Sequence, residues 1–219
     1  MNCFTHALPY LDDAWKTAGC CIPDWLGAVD RKCRVRERKA TPFIDHKDPV
    51  VAAIAQGIVH HHQDDHWFHT NQTFQELNIN FAIELREILD GERGMRTGFV
   101  GHVLIEMFID AWLHDKHPGK LEFYYQQLES IDPEKIQDVV NLFASKKTDK
   151  LASAIEGVIK DRYLFDYTDD SKTLYRINRV LSRIGLETID DRVFDWMKDA
   201  RKRVYDRVPD LLDQYAIEF

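Results

Sequence analysis

The chain has 219 residues, 44% of them hydrophobic and 30% charged, which excludes a disordered chain. At that length one fold can bury about 70% of the surface its unfolded chain exposes, so folding requires neither a disulfide nor a metal. A net charge of −8 argues against a general nucleic-acid binder, and ten glycines with seven prolines are few for an all-β sandwich.

Four cysteines (Cys3, Cys20, Cys21 and Cys33) show no C-x-x-C spacing, which fits a reducing compartment rather than a disulfide framework. The opening Met1-Asn2-Cys3-Phe4-Thr5-His6 has neither a basic nor an apolar signal region, and no apolar run approaches the roughly 18 residues of a membrane span. The expectation is a cytoplasmic protein without a membrane partner.

In chain order, residues 22–48 form the main irregular stretch in this reading. They contain the one concentrated basic run: Arg31, Lys32, Arg34, Arg36, Arg38 and Lys39 against Glu37, a local charge of +5. Asp48-Pro49 then reads as a helix cap with proline in the first turn, opening a helix to about His69. Phe74, Leu77, Phe81, Ile83, Leu85 and Ile88 recur at mostly helical spacing from Thr73 to Leu89, with Gly91 as a stop. A third helix spans about Arg96 to His114, ending before Pro118. Asp132-Pro133 repeats the cap signal ahead of Ile136, Val139, Val140 and Phe143. Lys150–Tyr163, Lys172–Ile184 (stopped by Gly185) and Asp190–Tyr215 complete the series, with Pro209 expected to break or kink the last. No period-two run is long enough for a strand. The expectation is an all-α fold in a single helical domain, without internal repeats.

Five of the ten histidines fall between positions 60 and 69. Side chains at i, i+4 and i+8 share a helix face, so His61, Asp65 and His69 form one row, with His62 and His66 beside it. The third helix is apolar around most of its circumference, but His102, Glu106 and Asp110 interrupt it with the same spacing. Two such rows facing each other can hold a divalent metal, since imidazole and carboxylate suit Mn, Fe, Zn or Mg and helix bundles build metal sites this way. The competing reading is two solvent faces carrying His–carboxylate surface pairs. His46, His114 and His117 read as surface, Tyr124-Tyr125 and Trp196 as core or interface. Asp64 and Asp65 point about 100° apart on a helix, so they are not a carboxylate dyad. Nothing in the sequence depresses the pKa of Cys20 or Cys21 toward a nucleophile.

Four pieces in order resemble the acyl carrier protein phosphodiesterases, a family whose helical fold is related to the HD-domain metal phosphohydrolases. Its members open with Met-Asn, a short apolar step and a histidine, as Met1-Asn2-Cys3-Phe4-Thr5-His6 does. Their Gly-Asp-Phe step is similar to Pro23-Asp24-Trp25. Their Gly-Ile-x-x-His-x-x-x-Asp-x-aromatic motif resembles Gly57 to Trp67, through Gly57, Ile58, His61, Asp65 and Trp67. Their Asp-x-Phe-x-Asp segment looks like Glu106-Met107-Phe108-Ile109-Asp110.

The resemblance covers about residues 1–115 and implies an HD-domain-like orthogonal helix bundle. It also implies a Mn-dependent hydrolase that removes 4′-phosphopantetheine from a carrier protein, with His6, Asp24, His61 and Asp65 at the metal and Asp110 near them. His69 and His102 join the expected ligands from the helical rows. The chain departs from the family at Pro23 (usually Gly), His69 (usually Asp), His102 (usually small) and Glu106 (usually Asp). More imidazole and less carboxylate makes a softer ligand set, which moves preference toward Fe or Zn.

For a phosphodiester substrate, Glu106 and Asp110 are expected as proton carriers or extra ligands. Arg34, Arg36 and Arg38 are expected at phosphate or at an acidic protein partner such as an acyl carrier protein, against the alternative of a solvated charge run. Two other functions stand beside this one: a non-catalytic helical module that binds metal or a partner, and a DinB-like four-helix metalloprotein that would use His62 and His66 in place of His6 and Asp24.

Overall fold

The computed structural model describes residues 1–91 and 96–214, and every regular element among them is helical. The all-α expectation holds. No helix among the described residues is long and apolar enough to cross a membrane. The chain divides into two compact units, Met1–His66 with His117–Tyr163, and Trp67–Lys116 with Leu164–Phe219.

The first unit holds α1 (Cys3–Ala7), α2 (Ala14–Val29), α3 (Glu37–Ala40), most of α4 (Pro49–Thr70), α7 (Lys120–Glu129), α8 (Pro133–Phe143) and α9 (Leu151–Asp161). Its core gathers Phe4, Ile22, Leu26, Ile54, Ile58, Tyr124 and Tyr125, all buried. The second unit holds the last residues of α4 with α5 (Gln72–Ile88), α6 (Arg96–Lys116), α10 (Asp170–Ile184) and α11 (Phe194–Leu211) around Phe68, Phe81, Leu85, Leu104 and Phe108.

Local chemistry accounts for several helix ends. Asp13, Asn71, Asp132 and Asp169 cap α2, α5, α8 and α10 by accepting first-turn N–H groups on their side chains. Gly185, at φ +78°, closes α10: its N–H donates to Ser182 O, and that of Leu186 to Leu181 O. This paired bonding satisfies the last carbonyls of the helix.

Three readings are corrected. Residues 22–48 are not irregular throughout, because α2 runs through Pro23 to Val29, so Asp24 stands on a helix and not in a loop. The proline removes one N–H from the ladder, yet buried Ile22, Trp25 and Leu26 anchor the helix on either side of it. Pro209 does not break α11, which continues to Leu211 with buried Val208 and Leu211; Tyr215, the expected end of that helix, lies outside the described residues. The helices α1 and α7 were not read from the sequence, although Asn2 caps the first and Leu121, Tyr124, Tyr125 and Leu128 give the second a buried face at helical spacing.

In the first unit the crossing of α2 and α4 positions the histidine row of α4. A methyl group on Gly57 would collide with Lys16 O and come within 2.7 Å of Cys20 N, and one on Gly19 would come within 2.7 Å of Ile54 O. The two backbones therefore meet through glycine alone, which places Cys20 beside His61.

Candidate metal centre

Three side chains converge in the first unit: His6 from α1, and His61 and Asp65 from α4. His6 and His61 are buried, and their rings lie 4.2 Å apart. Asp65 reaches both, with Oδ1 3.2 Å from His6 Nε2 and Oδ2 3.3 Å from His61 Nε2. The α-amino group of Met1 also lies 2.7 Å from Asp65 Oδ1. Asp24 stands at the margin, 41% exposed, with Oδ1 3.9 Å from His61 Nε2 and Oδ2 accepting from the Cys3 thiol.

Each imidazole is fixed from behind. His61 Nδ1 donates to Cys20 O at 2.8 Å, which commits Nε2 to the cluster. His6 Nδ1 lies 3.2 Å from Asp64 Oδ2, so Asp64 and Asp65 grip opposite nitrogens of one ring. This is the outer arrangement that ligating histidines need, a carbonyl or carboxylate on the far nitrogen that sets tautomer and orientation.

Electrostatics favour an ionised carboxylate here. Burial opposes charge on Asp65, but the hydrogen bonds from His6 and His61 outweigh it and hold its pKa far below the ordinary carboxylate range. Burial also works against the charged form of His61, while Asp24 and Asp65 prevail and raise its pKa above the usual imidazole value.

The basic segment is tied to the same helix. Cys33 and Val35 are buried while Arg34, Arg36 and Arg38 are exposed, and His62 Nε2 donates to Val35 O at 2.8 Å. Gln63 Nε2 donates to Glu37 Oε1 at 2.9 Å. The arginines therefore alternate outward from a strip anchored next to His61.

A second group lies in the other unit: His69 from the end of α4, and His102 and Glu106 from α6. Glu106 Oε1 is 3.2 Å from His69 Nε2 and 3.0 Å from His102 Nε2. Burial disfavours charge on Glu106, yet the positive charge of the α-amino group and the hydrogen bonds from His102 and His69 keep its pKa well below the usual range. Asp110 is buried one turn further along α6 and belongs to neither ligand group. Each of the two groups is formed by residues of a single unit.

The remaining histidines serve other ends. His60 stacks on Tyr10, whose hydroxyl lies 3.0 Å from its Nδ1, and burial pushes the Tyr10 pKa up to about 12. His62 is committed to Val35 and His66 is exposed, and neither belongs to a ligand group among the described residues. His46, His114 and His117 are half-buried rather than surface residues. Tyr124 and Tyr125 are fully buried, as core. All four cysteines are free and buried, and burial raises the Cys20 thiol well above its ordinary pKa, the opposite of a nucleophile. Sequence reasoning missed Asp64: its adjacency to Asp65 was plain, but its partner is 58 positions away.

Comparison with known protein families, with curated proteins and with solved structures finds no match.

Proposed function

We propose that the cluster in the first unit binds a divalent metal and that the protein is a metal-dependent phosphoesterase acting on diesters. The observation that carries this reading is the convergence of His6 Nε2, His61 Nε2 and the Asp65 carboxylate, with both far nitrogens already held by Asp64 and Cys20 O. The donor set fits the group: two imidazoles and one or two carboxylates suit Mn, Fe or Zn.

A divalent ion there supplies Lewis acidity toward a phosphoryl oxygen and lowers the pKa of water from 15.7 toward about 7. The protein's own residues do the rest. His6, His61 and Asp65 hold the ion, and Asp24, the most exposed of the group, marks the side on which water and phosphate enter. Arg34, Arg36 and Arg38 present forked donors that match the non-bridging oxygens of a phosphate. The same strip, locally +5 on a chain of −8, suits an acidic protein such as the carrier protein that the family resemblance points to.

The test is hydrolysis of bis-p-nitrophenyl phosphate and of phosphopantetheinylated carrier protein, with Mn, Fe(II) or Zn added to metal-stripped protein. Metal-dependent turnover that disappears in the His61→Ala/Asp65→Ala double variant is expected. Undiminished turnover in that variant would refute the site. Metal binding without turnover on any diester or monoester would leave a non-catalytic metal-binding module.

A further inference from the structure

The geometry points to a second metal site, in which His69, His102 and Glu106 take a zinc-class divalent ion. This inference goes beyond the proposed hydrolase and does not rest on it.

The carboxylate oxygen already stands at ligand spacing from both imidazoles, and all three ligand atoms lie within 4.8 Å of one another. Bonds of about 2.0–2.1 Å to a tetrahedral centre put ligand atoms roughly 3.3–3.4 Å apart. Glu106 Oε1 lies 3.0 Å from His102 Nε2 and 3.2 Å from His69 Nε2, so these two spacings need to open by only a few tenths of an ångström.

An ordinary His–Glu pair one helical turn apart explains His102 with Glu106, but not His69. That residue comes from a different helix, 37 positions away, and its Nε2 approaches the same carboxylate oxygen. Neutral imidazoles can each donate an Nε2–H to that oxygen, and one divalent ion in place of the two protons would be held by both nitrogens and the oxygen together.

The fold holds this geometry in place. Gly101, next to His102, lets α6 approach α5 closely: a methyl group there would lie 3.0 Å from Phe81 Cβ and 3.1 Å from Asn78 Oδ1. Phe68 and Phe74 pack on His69 at 5.6 and 5.3 Å between ring centroids, and Phe74 stands edge-on to His102 at 5.0 Å. These rings restrict the imidazole rotamers before any ion arrives, which removes part of the entropy cost of binding. The Glu106 side chain is 14% exposed and forms the floor, while those of His69 and His102 are about one-third exposed. Coordination positions on the solvent side therefore stay open to water or another small ligand, as in sites with two histidines and a glutamate. Two imidazoles per carboxylate favour Zn over Mn or Mg.

The experiment is a calorimetric titration of the full-length, chelator-stripped protein with Zn(II) alone, repeated with Co(II) while its visible absorption is recorded. Wild type is expected to take two equivalents, and His102→Ala and His69→Ala one each. His61→Ala should also take one, and the His61→Ala/His102→Ala double variant none. In His102→Ala the loss at this site should exceed the roughly 10–100-fold typical of removing an outer partner. Glu106→Gln, nearly isosteric, provides a second variant if an alanine variant fails to fold, and should also lose one equivalent. One equivalent in wild type that vanishes with His102→Ala would support this site and sink the first. Two equivalents retained in His102→Ala and Glu106→Gln would overturn it, as would the loss of both in either variant.

Discussion

Asp64 acts on the first cluster through His6. Its carboxylate holds His6 Nδ1 and leaves Nε2 directed at Asp65. Outer partners of ligating histidines are worth 10–100-fold in metal affinity. Asp64→Ala is therefore expected to weaken Mn or Zn binding at the first cluster by about 10–100-fold, read by competition with a chromophoric chelator, while the fold persists. Unchanged affinity would show that His6 is oriented by its burial alone. At this scale the sequence was informative about residue type and poor about pairing. The i, i+4 relation of His61 to Asp65, and of His102 to Glu106, followed from helix geometry. That Glu106 meets His69, or that Cys20 contributes its carbonyl rather than its thiol, depends on tertiary contacts that periodicity does not encode.

The α2–α4 crossing decides whether the first cluster forms. Gly57 allows backbone to meet backbone, and Cys20 O reaches His61 Nδ1 because of that contact. In Gly57→Ala the added methyl meets Lys16 O and Cys20 N, neither of which can rotate away. Overpacking of this kind costs about 1–3 kcal/mol or more. Denaturant unfolding should show at least that loss, together with weaker metal binding as Cys20 O withdraws from His61. A neutral Gly57→Ala would mean that the helices separate freely and that the crossing does not set the site. Helices with a strong cap or stop were legible: Asp48-Pro49, Asp132-Pro133 and Gly185 all mark observed ends. The helix α2 is not legible through Pro23, because local propensity disfavours it and only burial of Ile22, Trp25 and Leu26 compensates. The role of Asp24 was legible as a residue type, but its helical setting was not.

Across the whole molecule, the residues beyond 116 do not form a separate appendage. They supply α7, α8 and α9 to the first unit and α10 and α11 to the second, so each core closes with segments distant in sequence. The sequence motifs, confined to about residues 1–115, carried the candidate ligands but not the supports: Tyr124 and Tyr125, buried in the first unit, come from the later part of the chain. The balance of charge is likewise a property of the whole, with a single concentrated basic strip on an acidic chain and the His61 cluster beside it. The claim on which the proposed function depends is that His6, His61 and Asp65 hold a metal ion. Elemental mass spectrometry of the purified protein tests it most directly, after reconstitution and repeated on His61→Ala. Stoichiometric Mn, Fe or Zn is expected in wild type, and one equivalent less in the variant. The same metal content in both, or none in wild type, would contradict it.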